Sequence, residues 1–309
     1  MAIFKPLVTI GVCVKNSEAT LPEALESIME QDFPHELMEV IFVDDGSTDS
    51  TLSIIERYAK RLDMRVTIFS QDWKGLGFSR NTIVNAAKGC YIAWVDGDMI
   101  LPNDHVTKQV EFMDSNPDVG IAKAKYGILE SENLIGFLEN IAFVAVDSLF
   151  GGKSTSRVLG TGGSIYRTKA IQEVNGFDVS ISGVGEDMDA EHRIKKAGWT
   201  LHLGSPASFY EKRRNTLKSL WREAFWHGYG GHVLFRKNRR AYTLLKMTPF
   251  AGFFAGAWYA TVAYRMTGRR IVFLLPLQYT FKRIAWCLGF LKGQIDMNGV
   301  KRQKSAVWT

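Results

Sequence analysis

The chain has few cysteines, and they form no pattern. Cys13, Cys90 and Cys287 are odd in number and far apart in 309 residues, with no CxxC pair among them. That excludes a disulfide framework and a cysteine-based zinc site. A signal-peptide pattern is missing as well. The apolar run in MAIFKPLVTIGVCV is short and soon meets Lys15, Asn16 and Glu18, so it reads as a first strand, with synthesis expected in the cytoplasm. Two nucleotide-binding signatures are absent. A dinucleotide-binding fold wants GxGxxG after its first strand, and Lys15-Asn16-Ser17-Glu18 stands there. Gly152-Lys153-Ser154 has the ending of a P-loop, but the glycine required five positions earlier is Asp147. His192, His202, His227 and His232 show no ligand-like spacing and read as structural or surface residues.

Acidic residues are scarce in one part only. Residues 205–309 hold 3 Asp+Glu against 19 Lys+Arg, whereas residues 1–204 hold 29 against 19. The split suggests an acidic catalytic part, residues 1–210, and a basic part, residues 211–309, that meets an anionic surface. A hydrophobic content of 46% excludes a disordered chain.

What is present is an alternation. Leu7 to Val14, Glu39 to Val43, Arg65 to Phe69 and Tyr91 to Val95 are short apolar runs that predict strands. Between them, apolar residues at helical spacing (Leu21, Ala24, Leu25, Ile28; Leu52, Ile55, Tyr58) predict helices, and Phe78 to Lys88 reads as a third. Such alternation indicates an α/β fold with a doubly wound, mostly parallel sheet. In these sheets ligands bind beyond the carboxyl ends of the strands. Asp44-Asp45 and the pair Asp96-Gly97-Asp98 both stand at such ends. Carboxylates ending a buried strand are costly unless a cation meets them. Hard divalent cations favour such oxygens and share them with phosphates. The pattern therefore points to a metal–diphosphate site, against the plainer reading of an acidic turn. Further on, GEDMD at 185–189 opens a helix; acidic residues there also suit a first helical turn as caps.

The motifs form an ordered set: VTIGVCVKN ending at Asn16, VDDGSTD at 43–49, GLGFSRN at 75–81, DGD at 96–98, GTGGSIYR at 160–167, GFD at 176–178 and GEDMDAEHRIKKAGW at 185–199. Over residues 5 to 210 this order resembles the inverting glycosyltransferases of family 2, which have the GT-A fold. The resemblance implies a nucleotide-diphospho-sugar donor and a divalent metal, Mn²⁺ or Mg²⁺. It implies donor-binding roles for Cys13, Asn16, Asp45, Arg80, Asp96 and Asp98, with Asp98 on the metal. Gly162, Gly163 and Ser164 are implied on the acceptor side, and Asp187 as general base with Glu186 beside it. Many members carry a His after the last strand that completes the metal site; this chain has Phe209 to Arg214 there, with Glu211 as the substitute ligand. A non-catalytic nucleotide-sugar-binding protein and a nucleotidyltransferase are the alternatives.

The basic tail is helical and aromatic in pattern. Met247 to Tyr264 runs 18 residues without a formal charge, between Lys246 and Arg265, which is at the lower limit for a membrane span. Ile271 to Phe281 is apolar but contains Pro276, and suits an interfacial helix. The expectation is a membrane-associated protein with its catalytic part in the cytoplasm and a lipid-linked or glycan acceptor. A buried helical subdomain or dimer interface is the plainer reading. No nucleic-acid partner is expected, since the aromatics follow helical spacing among apolar residues instead of alternating with basic ones.

Overall fold

A computed structural model describes residues 6–129, 133–155, 158–181, 184–237, 239 and 243–299. In chain order the elements are β1 (Val8–Val14), α1 (Leu21–Met29), β2 (Met38–Asp45), α2 (Thr51–Ala59), β3 (Arg65–Gln71), α3 (Leu76–Ala86), β4 (Tyr91–Trp94), β5 (Met99–Ile100), α4 (His105–Ser115), β6 (Val119–Tyr126) and α5 (Leu134–Phe150). They continue as β7 (Lys153–Ser154), β8 (Ser164–Arg167), α6 (Thr168–Glu173), α7 (Glu186–Lys196), β9 (Thr200–Glu211), α8 (Leu217–Lys237), α9 (Pro249–Thr267) and α10 (Leu275–Gly299). Two compact units result. The first holds residues up to 129 together with 143–155, 158–181 and 186–213; the second holds 133–142, 184–185 and 214–299.

The first unit is a mixed sheet in the order β3-β2-β1-β4-β8-β6-β9-β5, with β7 paired to β9. Apolar strands buried on both faces make it a three-layer structure. Val40 and Phe42 of β2 join one apolar cluster and Ile41 and Val43 the other, as alternate side chains of a strand must. The first cluster takes Leu21, Leu25 and Ile28 of α1, Ile54 and Ile55 of α2, and Val106, Val110 and Met113 of α4. The second takes Ile83 of α3, Ile171 of α6 and Ile194 of α7.

Strands β1 to β4 are parallel, as the alternation predicts. The remainder of the sheet is not uniform: β8 lies antiparallel to both β4 and β6, and β5 antiparallel to β9. β8 therefore runs against β4, and the loop entering it arrives at the edge where β1, β2 and β4 end. The Gly163 N–H closes that junction by donating to the Trp94 carbonyl at 3.1 Å.

In the second unit, α8 and α10 approach until main chain meets main chain. A side chain at Gly228 would run into the Trp286 carbonyl, and one at Gly289 into that of Phe225. α9 begins on the Thr248 cap, with Pro249 in its first turn, and ends at Gly268 in the left-handed region. It buries Gly252, Gly256, Ala260 and Ala263 and exposes Phe250, Phe254 and Trp258. Glu139 of α5, buried here, receives both Lys282 and Gln278 of α10. Pro276 does not interrupt the apolar run as its sequence position suggests. It lies in the first turn of α10, where proline removes no helical hydrogen bond. Among the described residues one helical stretch, Arg270–Asp296, is long and apolar enough to cross a membrane.

Candidate active site

Asp45 and Asn16 are held by main chain. The Asp45 carboxylate accepts from the N–H groups of Lys74 and Gly75 at 2.9 Å each, and from the Gln71 side chain at 2.8 Å. Asn16 has a left-handed φ of 49°. Its Oδ1 accepts from the Thr48 N–H at 2.8 Å, and its own N–H donates to Ser47 Oγ. The polar turns after β1 and β2 thus brace one another. Ser47 and Thr48 bind Asp44 and Asn16, and α2 starts beyond them at Thr51.

At the centre is a buried ion pair. Arg80 of α3 donates to Glu186, the first residue of α7; the two residues are 5% and 2% exposed. Burial alone would lower the arginine's pKa, but Glu186, Asp187 and Asp96 outweigh it and raise it. The resemblance implies a donor contact for Arg80; within the fold its Nη1 donates to Glu186. Burial also pushes the Cys13 thiol up, with Arg80 opposing and Asp96 and Asp45 adding. Cys13 therefore stays a protonated thiol. These shared fields bring Cys13, Asp45, Arg80, Asp96 and Glu186 into one neighbourhood. Asp187 follows Glu186 at the N-terminus of α7, half-buried, and accepts from the Met188 N–H at 2.7 Å.

Asp96 and Asp98 flank a turn in which the Met99 N–H donates to the Asp96 carbonyl at 3.1 Å. The Asp98 carbonyl accepts from the Lys212 N–H at 2.9 Å, and Met99 pairs with Glu211 across β5 and β9. That register puts Glu211 beside the DGD turn. Burial pushes the Glu211 carboxyl up to about 7; Arg213 opposes, while Asp98 and Asp96 add to the rise. Arg213 pairs with Glu211 at 2.7 Å and lies over the Phe143 ring. Among the described residues no group of three or more His, Cys, Asp or Glu forms a ready-made metal cage. Carboxylates this close, with Asp98 and Asp96 adding to the rise at Glu211, do fit a hard cation that takes its other ligands from phosphate oxygens.

The loop before β8 closes the site. A side chain at Gly162 would collide with the Asp96 carboxylate, so only glycine lets the loop approach there. Gly160, in the left-handed region, lies against Asp187. Ser164 Oγ donates to the Gly160 carbonyl at 2.6 Å. Two buried residues to which the motifs assign no role also reach this loop. Lys123 of β6 donates to the Gly162 carbonyl, and Glu191 of α7 accepts from the Leu159 and Gly160 N–H groups at 2.9 and 2.6 Å. The spacing from Asp187 to Glu191, one helical turn, is the signal that could have found the second of these.

Residues 9–174 match the model of the family described as glycosyl transferase family 2. This chain belongs to glycosyl transferase family 2. Its fold is GT-A. It is 36% identical over 111 residues to the poly(ribitol-phosphate) beta-N-acetylglucosaminyltransferase TarS of Staphylococcus aureus, a match covering 36% of this chain and 19% of TarS. It is 24% identical over 239 residues to the poly-beta-1,6-N-acetyl-D-glucosamine synthase of Staphylococcus epidermidis, covering 72% and 54%. The matches thus span about a fifth of the first relative's length and about half of the second's. In three dimensions it resembles the mannosyltransferase PcManGT from Pyrobaculum calidifontis, solved with GDP-Man and Mn²⁺: TM-score 0.66, 19% identity, 95% of this chain and 88% of that one. The 1–349 piece of TarS solved with UDP-GlcNAc aligns with a TM-score of 0.50 at 19% identity, over 94% of this chain and 92% of that piece.

Proposed function

We propose that this protein is an inverting, metal-dependent glycosyltransferase that moves a sugar from a nucleotide-diphospho-sugar to a hydroxyl of a cell-surface glycan or lipid-linked acceptor. The observation that carries the reading is the placing of Asp187 at the N-terminus of α7, against the glycine loop, beside a neighbouring Glu186 already neutralised by Arg80. A half-buried carboxylate with that neighbour is free to take a proton. The acceptor O–H gives its proton to Asp187 as its oxygen bonds the anomeric carbon. The bond from that carbon to the diphosphate oxygen breaks, and the nucleoside diphosphate leaves with the electron pair. One displacement inverts the centre and needs no protein nucleophile, which agrees with a Cys13 thiol held protonated. Asp98 and Glu211 would hold the divalent ion, which when bound neutralises charge on the departing diphosphate. Asp45, with Asn16 and Cys13, lines the nucleotide end, and Asp96 the ribose side. Gly162, Gly163 and Ser164 line the acceptor side.

Residues 1–210 form the catalytic part in this reading and residues 211–309 a membrane-docking part. Support for docking comes from the exposed Phe250, Phe254 and Trp258 of α9, the exposed Ile284, Leu288, Leu291 and Ile295 of α10, and the basic excess. Apolar anchors among cations suit the cytoplasmic surface of an anionic membrane.

Calorimetry with UDP- and GDP-sugars, with and without Mn²⁺, tests the donor site. Binding should need Mn²⁺ and be lost in Asp98→Asn. Asp187→Asn should keep donor affinity within about threefold while transfer falls at least about 10³-fold. Near-normal turnover in Asp187→Asn removes that residue as the base.

A further inference from the structure

The loop Leu159 to Ser164 carries Gly160 against Asp187 and Gly162 against Asp96, yet it has little side chain of its own with which to stay there. Two ionisable side chains from opposite sides hold its main chain. Glu191 is 2% exposed and uses both carboxylate oxygens, one on the Leu159 N–H and one on the Gly160 N–H. Lys123 is 3% exposed and donates to the Gly162 carbonyl. Burying two such groups is costly, and neither belongs to the apolar core. Glu191 also stands one helical turn from Asp187 on α7.

We infer that Glu191 and Lys123 form a clamp that positions the loop against the general base, and that the clamp engages fully only when Glu191 is ionised. The inference rests on the transferase reading above. A carboxylate can accept two N–H bonds on two oxygens. A protonated carboxyl must turn a hydroxyl toward one of those N–H groups and loses that bond. The groups facing Glu191 set the pH at which this happens. Burial, then the Asp187 charge, raise its pKa, while the Leu159 and Gly160 N–H groups and the Lys123 charge lower it; the balance stands at about 8. The buried Tyr166 hydroxyl of β8 lies in the same field. Both residues are positioning residues, acting through the loop and Asp187.

Two measurements test the clamp on the full chain. The first is amide hydrogen exchange of the segment 158–164, corrected for the intrinsic pH dependence. Protection should rise between pH 7 and 9 in the wild type. In Glu191→Gln it should be at least about tenfold lower and flat with pH, while β1 and β2 exchange as before. Unchanged protection in the variant overturns the clamp whatever the chemistry of the site. The second is release of nucleoside diphosphate from UDP-GlcNAc and GDP-mannose with Mn²⁺. Wild-type kcat should climb with pH through about 8. Glu191→Gln should lose that limb and about tenfold in kcat, with donor Kd within twofold of wild type. Lys123→Met should show the same split between kcat and donor Kd. A variant that keeps the wild-type pH limb, or one that stays folded but loses donor binding, overturns the inference. Failure of the wild type to release nucleotide from any UDP- or GDP-sugar removes the transferase reading and, with it, the catalytic role of the clamp.

Discussion

Replacing Arg80 by Met takes the positive charge out of the middle of the sheet unit and keeps most of the side-chain volume. Glu186, 2% exposed, then loses the Arg80 guanidinium. Breaking a buried pair from one side costs about 3–5 kcal/mol, because the surviving charge is stranded or must take up a proton. The guanidinium also lies 5.7 Å from the centre of the Phe177 ring, a contact worth about 0.5–2 kcal/mol that Met replaces in part with its own dispersion. The expected net loss is about 3–5 kcal/mol. The double variant Arg80→Met/Glu186→Gln removes both charges and should recover to within about 2 kcal/mol of the wild type. Urea unfolding at pH 7, followed by tryptophan fluorescence and far-UV dichroism, reads all three proteins. An Arg80→Met loss below about 1 kcal/mol, or a double variant no more stable than the single, would refute the argument that this pair is a desolvated ionic contact.

Two further outcomes follow from local geometry. Gly163 has φ +69°, and a Cβ there would stand 2.5 Å from the Phe209 ring. Gly163→Ala should therefore cost about 2–4 kcal/mol, whereas Gly152→Ala, at φ +79° but in open space, should cost only the backbone strain of about 1–2 kcal/mol; thermal melts separate the two. His105 is 1% exposed, and its Nδ1 lies 2.7 Å from the Ser208 carbonyl oxygen. Burial pushes its pKa down to about 4, against that bond and the Asp104 charge. The unfolded chain takes up this proton near pH 6.5 and the folded one near pH 4. The stability from neutral His105 is thus complete above pH 6.5 and lost as pH falls toward 4, by about 3 kcal/mol. Glu191 and Glu211, whose carboxyls are pushed up to about 8 and about 7, contribute the opposite slope over the same range. The His105 part is therefore read as the wild-type slope minus that of His105→Gln in denaturant titrations at pH 7, 5.5 and 4.5.

The parallel half of the sheet was legible because β1, β2 and β4 are buried on both faces and so appear as unbroken apolar runs. The direction of β8 was not: Ser164 to Arg167 has the same strand chemistry whichever way it runs, and only its neighbours β4 and β6 decide. The length of β9 was not legible either: it runs from Thr200 to Glu211 through Gly204, Ser205 and Pro206, which look like a turn in sequence. The acidic residues of the site stood out as carboxylates at strand ends, where nothing apolar explains them. Glu191 did not, because an acidic residue in an amphipathic helix ordinarily faces water. Lys123 was hidden for a related reason: a single lysine in an apolar strand gives no indication of the carbonyl it will meet. In the tail, charge-free length drew the eye to Met247–Tyr264, while the helix that satisfies both length and composition runs across Lys282 and Arg283.

The reversal at β8 divides the work of the sheet between its two halves. In the transferase reading most of what would grip the donor follows β1, β2 and β4, with Glu211 of β9 beside it, and the loop that would meet the acceptor leads into a strand of opposite direction, joined to the parallel half through the Gly163–Trp94 bond. The two halves are then separately editable. In the transferase reading proposed above, exchanging residues 159–164 between relatives should carry acceptor choice with it.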